Sequence, residues 1–196
     1  MLRQIELMHW SPQSGESERQ RAVAALRAQG AGLLQPTLPG SYNGGDLLRR
    51  GTADALSGTS RPGEIAGIDG AVYEEIDSGG DWRGGGIYRG LLLSVHATAP
   101  AAAIARFERE TLAMPRYIQA IRGWRLGRVR QAQGSRAWTH VWEQRYENVE
   151  GLLGPYMLHP YHWAHVDRWF DPESQDWIVD PQLCHSFCRI DGDTLI

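Results

Sequence analysis

The order of strands and helices in the second half of the chain restricts its architecture more than any composition value does. "RGLLLSVHATAP" reads as a strand and "APAAAIARFERETLAM" as a helix, and "IRGWRLGRV" and "SRAWTHVWEQRY" read as two strands around a turn with Gly134 and Ser135. "VEGLLGPYMLHPYHWAHVDRWF" is helical with interruptions at Pro155 and Pro160, and "LCHSFCRI" closes as a strand with two-residue alternation. The sum is β-α-β-β-α-β, the ferredoxin-like order. The first half begins the same way: Ile5 and Leu7 alternate with polar neighbours, and "SGESERQRAVAALRAQG" has a helix start and a glycine stop. A shift of 86 residues sets Arg3 on Arg89, Ile5 on Leu91, Leu7 on Leu93 and Leu26 on Leu112. "GLLQPTLPGSYNGGDLLRRGT" then supplies two irregular strands and "GAVYEEID" a last one, the second helix being reduced or replaced by loop.

A four-stranded sheet with helices on one face needs a partner for the other. The expected fold is therefore α+β, with two ferredoxin-like modules in one chain pairing their sheets into an α+β barrel. Residues 1–87 would form a divergent N-terminal module and connector, and residues 88–196 the module carrying the site. "EEIDSGGDWRGGGIY" reads as a glycine-rich connection, without the strand-to-helix fingerprint of a phosphate cradle.

Composition excludes several classes. Hydrophobic residues at 42% and charged residues at 22% describe an ordinary folded protein. A net charge of -3 with no basic cluster argues against nucleic acid as a partner. All 20 basic residues are arginine, which removes mechanisms that use a lysine Schiff base or lysine base. No run approaches the roughly 20 apolar residues of a membrane span, and two cysteines suit a reducing compartment, so the cytoplasm is expected. Cys184 and Cys188, four apart on one extended strand, are too distant to bond to each other and read as buried apolar side chains.

The chemistry concentrates in "MLHPYHWAHVDRW", residues 157–169. His159, His162 and His165 recur every third residue, so they spread over about 120° of a helix. That spacing differs from the zinc motif with histidines four apart, and no metal site is expected. On the strand through residues 137–146, alternation places Trp138, His140, Trp142 and Gln144 on one face, and Thr139, Val141 and Glu143 on the other.

Thr139-His140 and the run Tyr156-Met157-Leu158-His159-Pro160-Tyr161-His162 carry a resemblance. From about Tyr88 to Ile190 the sequence resembles the dimeric α/β barrel, stress-responsive (Dabb) family, with its strand Thr-His pair and its Tyr-x-x-His-Pro-x-His motif. That family includes a plant polyketide cyclase that closes an aromatic ring without metal or cofactor. The resemblance implies His162 as general base, Tyr156 as hydrogen-bond donor or orienter, and His140 as a polar residue of the cavity. Trp138, Trp142, Trp163 and His159 are the expected substrate-binding residues. The cyclase also has a histidine on the first strand of its module, where this sequence has Gly90 or a neighbouring leucine.

A neutral imidazole beside a tyrosine hydroxyl suits removal of a proton next to a carbonyl, and the surrounding indoles suit a flat apolar ligand. The expected function is cofactor-independent acid/base catalysis (cyclase, lyase, isomerase or decarboxylase) on a small aromatic or polyketide-like carbonyl compound. A non-catalytic small-molecule binding or stress-response protein is the alternative, and a haem-binding or oxygen-using barrel relative the third reading. The internal pairing is expected to replace the homodimer of the family, with further association through the outer surface left open.

Overall fold

The structure, a computed structural model, describes residues 1–30 and 32–192. The first half runs β1 (Leu2–Trp10), α1 (Glu16–Ala28), β2 (Leu33–Pro36), β3 (Leu47–Thr52), α2 (Ala53–Leu56) and β4 (Ile65–Gly80). The second half runs β5 (Gly86–Leu93), α3 (Ala101–Tyr117), β6 (Gly123–Gln133), β7 (His140–Tyr146), a broken helical region from α4 (Val149–Gly151) to Trp169, and β8 (Cys184–Ile190). The strands form one sheet in the order β2-β3-β1-β4-β6-β7-β5-β8, with every pairing antiparallel. Each half thus has the β-α-β-β-α-β element order and the same internal strand order. The α+β barrel expected from the sequence is present.

The halves meet twice. β4 pairs with β6 from Gly70↔Gln133 to Gly80↔Gly123, through two register shifts. On the other side residues 37–42 bond to β8: Leu38 N–H donates to Phe187 O at 2.8 Å, and Tyr42 and His185 exchange two bonds of 2.8 Å. These contacts close the sheet within the single chain.

Alternation divides each strand between the barrel interior and the helix-covered outside. Ile5, Leu7, Tyr73, Tyr88, Leu92, Val141 and Cys188 pack inside. Leu91, Leu93, Trp142 and Phe187 pack outward against Phe107 and Met114 of α3 and against Leu152, Tyr156 and Trp169 of the broken helix. α3 is rich in alanine and turns Phe107, Glu108, Thr111 and Met114 inward at helical spacing.

Three sequence expectations need correction. The 86-residue shift equates residues of opposite faces, because Ile5 points into the barrel while Leu91 points to the helices. A slip of one residue reverses every side chain of a strand, so this shift is not the structural register. The stretch "EEIDSGG" belongs to β4, which leaves only residues 81–85 as connection. Its glycines have a packing reason: a Cβ at Gly79 would lie 2.7 Å from the Trp124 indole. β7 begins at His140, and Trp138 joins the interior cluster instead of the face shared by His140 and Trp142. The alternation does not extend back through residue 138, which lies outside the regular strand.

Candidate functional site

A cavity of about 220 Å3 lies between the outer face of β5 and β7 and the helices of the second half. Leu91, Leu93, Phe107, Met114 and Trp142 supply its apolar wall, and Arg89, Thr111, Tyr156, His162 and His185 its polar groups. Below the roughly 300–1,000 Å3 typical of drug-sized ligands, it suits a molecule of about one ring.

The broken helix brings Tyr156 and His162 together. Six residues apart on a regular helix they would stand about 120° apart. Pro155 has no N–H to donate, and the chain takes a π-helical turn over Leu152–Tyr156 and a second over His162–Val166. Between them His159 Nδ1 accepts from Tyr161 N–H at 3.1 Å, and His159 O accepts from His162 N–H at 2.9 Å. His159 therefore starts the second helical segment and stands outside the cavity wall. The Tyr156 and His162 rings meet edge to face with centroids 4.7 Å apart. Both are buried. His162 Nδ1 lies 3.1 Å from Asp167 Oδ1 but off the direction of a hydrogen bond.

Arg89 reaches the same place from β5. Its Nη1 donates to Tyr156 Oη at 3.1 Å and to Gln144 Oε1, and its guanidinium lies over the Tyr156 ring, 5.1 Å from the centroid. Beside it, burial and then the Arg89 charge push His185 down to about 2, which holds that imidazole neutral.

The other expected residues separate. Trp142 lines the cavity. Trp163 is 56% exposed, with its indole N–H on Met157 O at 2.9 Å. Trp138 is inside the barrel and donates to Gln133 O. His140 sits behind Phe107, at a centroid distance of 5.6 Å, and is no part of the wall. Its Nε2 is 3.0 Å from Glu108 Oε1, an acceptor when ionised, so that nitrogen carries the proton; Nδ1 faces Thr139 Oγ1 at 2.9 Å. Thr139 in turn accepts from Val95 N–H at 2.8 Å. The Thr-His pair thus ties β7 to β5 and α3. Among the three helix-region histidines, His165 stacks on Tyr161 at the surface, so they do not converge. Among the described residues no group of three metal-ligating side chains gathers.

The sequence reading missed Arg89 and His185. Gly90 faces the barrel, where a Cβ would lie 2.5 Å from Ile5 Cδ1, and Arg89 is the residue of that strand region that faces the cavity. One signal was available: Arg89 is the single charge in the outward row Ile87, Arg89, Leu91, Leu93.

Residues 87–180 match the model of the stress responsive A/B barrel domain family, Dabb. This segment is a Dabb domain. Sequence comparison with curated proteins gives no match. Among solved structures, an anthrone oxidase-like protein is similar at a TM-score of 0.64 and 9% identity, over 96% of this chain and 90% of that one. A putative monooxygenase from Lactobacillus acidophilus NCFM is similar at 0.55 and 10% identity, over 100% and 97% of the two chains. A heme-degrading enzyme from Listeria monocytogenes is similar at 0.52 and 10% identity, over 94% and 97%. At such identities the likeness concerns the fold, and it extends over both the Dabb domain and the half preceding it.

Proposed function

We propose that the Dabb domain is a cofactor-independent acid/base catalyst acting on a small aromatic or polyketide-like carbonyl compound. The observation that carries this reading is the pairing of His162 and Tyr156 in one cavity, with Arg89 donating to the tyrosine oxygen. Because Tyr156 Oη accepts from Arg89, its own proton is free to point at a substrate carbonyl. The His162 imidazole takes a proton from the adjacent carbon, and the electron pair moves onto the carbonyl oxygen. The Tyr156 hydroxyl, polarised by the Arg89 cation, donates to that oxygen as charge develops there. His162 then returns the proton to carbon or to a leaving group, which makes the outcome an isomerisation, a ring closure or an elimination. Leu91, Phe107, Met114 and Trp142 give the reacting atoms an apolar wall.

The size of the cavity, about 220 Å3, favours a one-ring ligand over a haem macrocycle.

The test is exchange of the protons next to the carbonyl of hydroxylated aryl ketones in D2O, followed by NMR. The protein should accelerate exchange for at least one member of the panel. His162→Ala should lose most of the ~10²- to 10⁴-fold effect of a positioned base, and Tyr156→Phe should lose part of it. Exchange in His162→Ala at the unchanged rate would sink the proposal. A ketone that binds and never exchanges would favour the non-catalytic binding protein.

A further inference from the structure

We infer that the ligand of this cavity carries a carboxylate, held by Arg89. The inference rests on the proposal that the cavity is the substrate site and deepens it by naming the substrate class.

Arg89 is 6% exposed and permanently charged. Buried arginines are as a rule paired with a carboxylate. Among the described residues no carboxylate oxygen comes within 4.0 Å of Arg89; it donates to the neutral Gln144 and Tyr156 oxygens, and the Tyr146 hydroxyl, also neutral, lies within its influence. Of the other buried arginines, Arg145 is held by the backbone carbonyls of Asp81 and Gly85, and the rest meet carboxylates. Arg49 meets Glu6, Arg50 meets Glu143, and Arg125 meets Glu75 and Glu143. The one carboxylate of the cavity wall, Asp167, stands half exposed with Oδ1 beside His162.

The surrounding polar atoms fit the same ligand. Arg89 Nε, Trp142 Nε1 and Thr111 Oγ1 are buried on wall residues without a protein partner, and all three can donate. Buried donors left unmade are costly, and a carboxylate accepts from several at once. His185, whose Nε2 also lacks a protein partner, adds no positive charge, so the anion is matched by a single cation. An aromatic carboxylate would place its ring against Phe107, Met114 and Trp142 and its anionic end on Arg89. A carbonyl on the ring or its side chain then falls to Tyr156.

The experiment uses 2,4-dihydroxybenzoate and its neutral isostere 2,4-dihydroxybenzamide as probes, titrated by calorimetry into the full chain. The acid should bind about tenfold or more tightly than the amide, as expected for a charge-assisted bond. Arg89→Met should abolish that preference, with a cooperative thermal transition showing that the variant is folded. Arg89→Lys, which keeps the charge without the planar fork, should retain part of it. Equal affinity for acid and amide, or a preference that survives Arg89→Met, would overturn the inference. Failure of both probes to bind at millimolar concentration would overturn it as well. Each of those outcomes leaves the His162-dependent exchange of neutral ketones standing, so the two proposals fail separately.

Discussion

Glu108 answers the question raised by the Thr-His motif. Its buried carboxylate on α3 accepts two bonds of 2.6 Å from Arg128 and one of 3.0 Å from His140. Burial pushes its carboxyl up, but the bonds from His140 and Arg128 outweigh that and bring it down to about 2. Glu143, in the barrel, also falls to about 2, because the Arg50 and Arg125 charges outweigh its complete burial. A depressed carboxylate contributes stability that is present above the unfolded value near 4.3 and is lost as pH falls toward the folded value. His185, neutral to about 2 when folded, binds a proton more readily once unfolded, so its contribution declines below about 6.5. Stability measured by denaturant titration should therefore fall gently between about pH 6.5 and 4.5 and steeply below 4.5. His185→Phe should flatten the first phase, and Glu108→Gln should reduce the second. A profile unchanged by both substitutions would contradict these assignments.

At the scale of elements, β6 and the broken helix carry the largest consequences. β6 joins the Dabb domain to β4, and the Tyr73 ring lies directly over Gly127, where a Cβ would come within 2.2 Å of Cδ2 and 3.0 Å of Glu74 O. Neither the fully buried ring nor the backbone can retreat, so Gly127→Ala should cost about 1–3 kcal/mol, read as a lower urea midpoint. Loss of less than about 0.5 kcal/mol would show that the seam can shift. The broken helix was partly legible. Two prolines within it announced interruptions, yet the bend that sets Tyr156 beside His162 depends on the two wide turns and on His159 capping the second. Helical periodicity would have parted those rings, and the family motif, not periodicity, is what linked them.

For the whole molecule, the barrel interior holds a charged network that spans both halves. Glu143 accepts from Arg50 on β3 at 3.1 Å, from Tyr88 at 2.6 Å and from Arg125 at 2.9 Å, and Arg125 reaches Glu75 on β4 at 2.6 Å. Glu143→Gln keeps the shape and removes the buried carboxylate that Arg50 and Arg125 share, Arg125 retaining Glu75, so it should destabilise the chain by about 3 kcal/mol. Because the network links strands of both halves, thermal unfolding by fluorescence and by far-ultraviolet dichroism should remain coincident in the wild type. Separate transitions would show that the halves unfold independently.

Element order, the alternation that makes sheets and the Tyr-x-x-His-Pro-x-His spacing are local properties, and the sequence determined them: an α+β barrel was readable from the order and alternation of residue types, and the candidate site from the motif. Which face a residue such as Arg89, Gly90 or Trp138 presents turns on a register of one position, and which buried cation meets a carboxylate among the described residues turns on contacts across tens of residues. Only the closed sheet decided those, because side-chain pairing in a barrel is fixed by strand register and not by nearness in the chain.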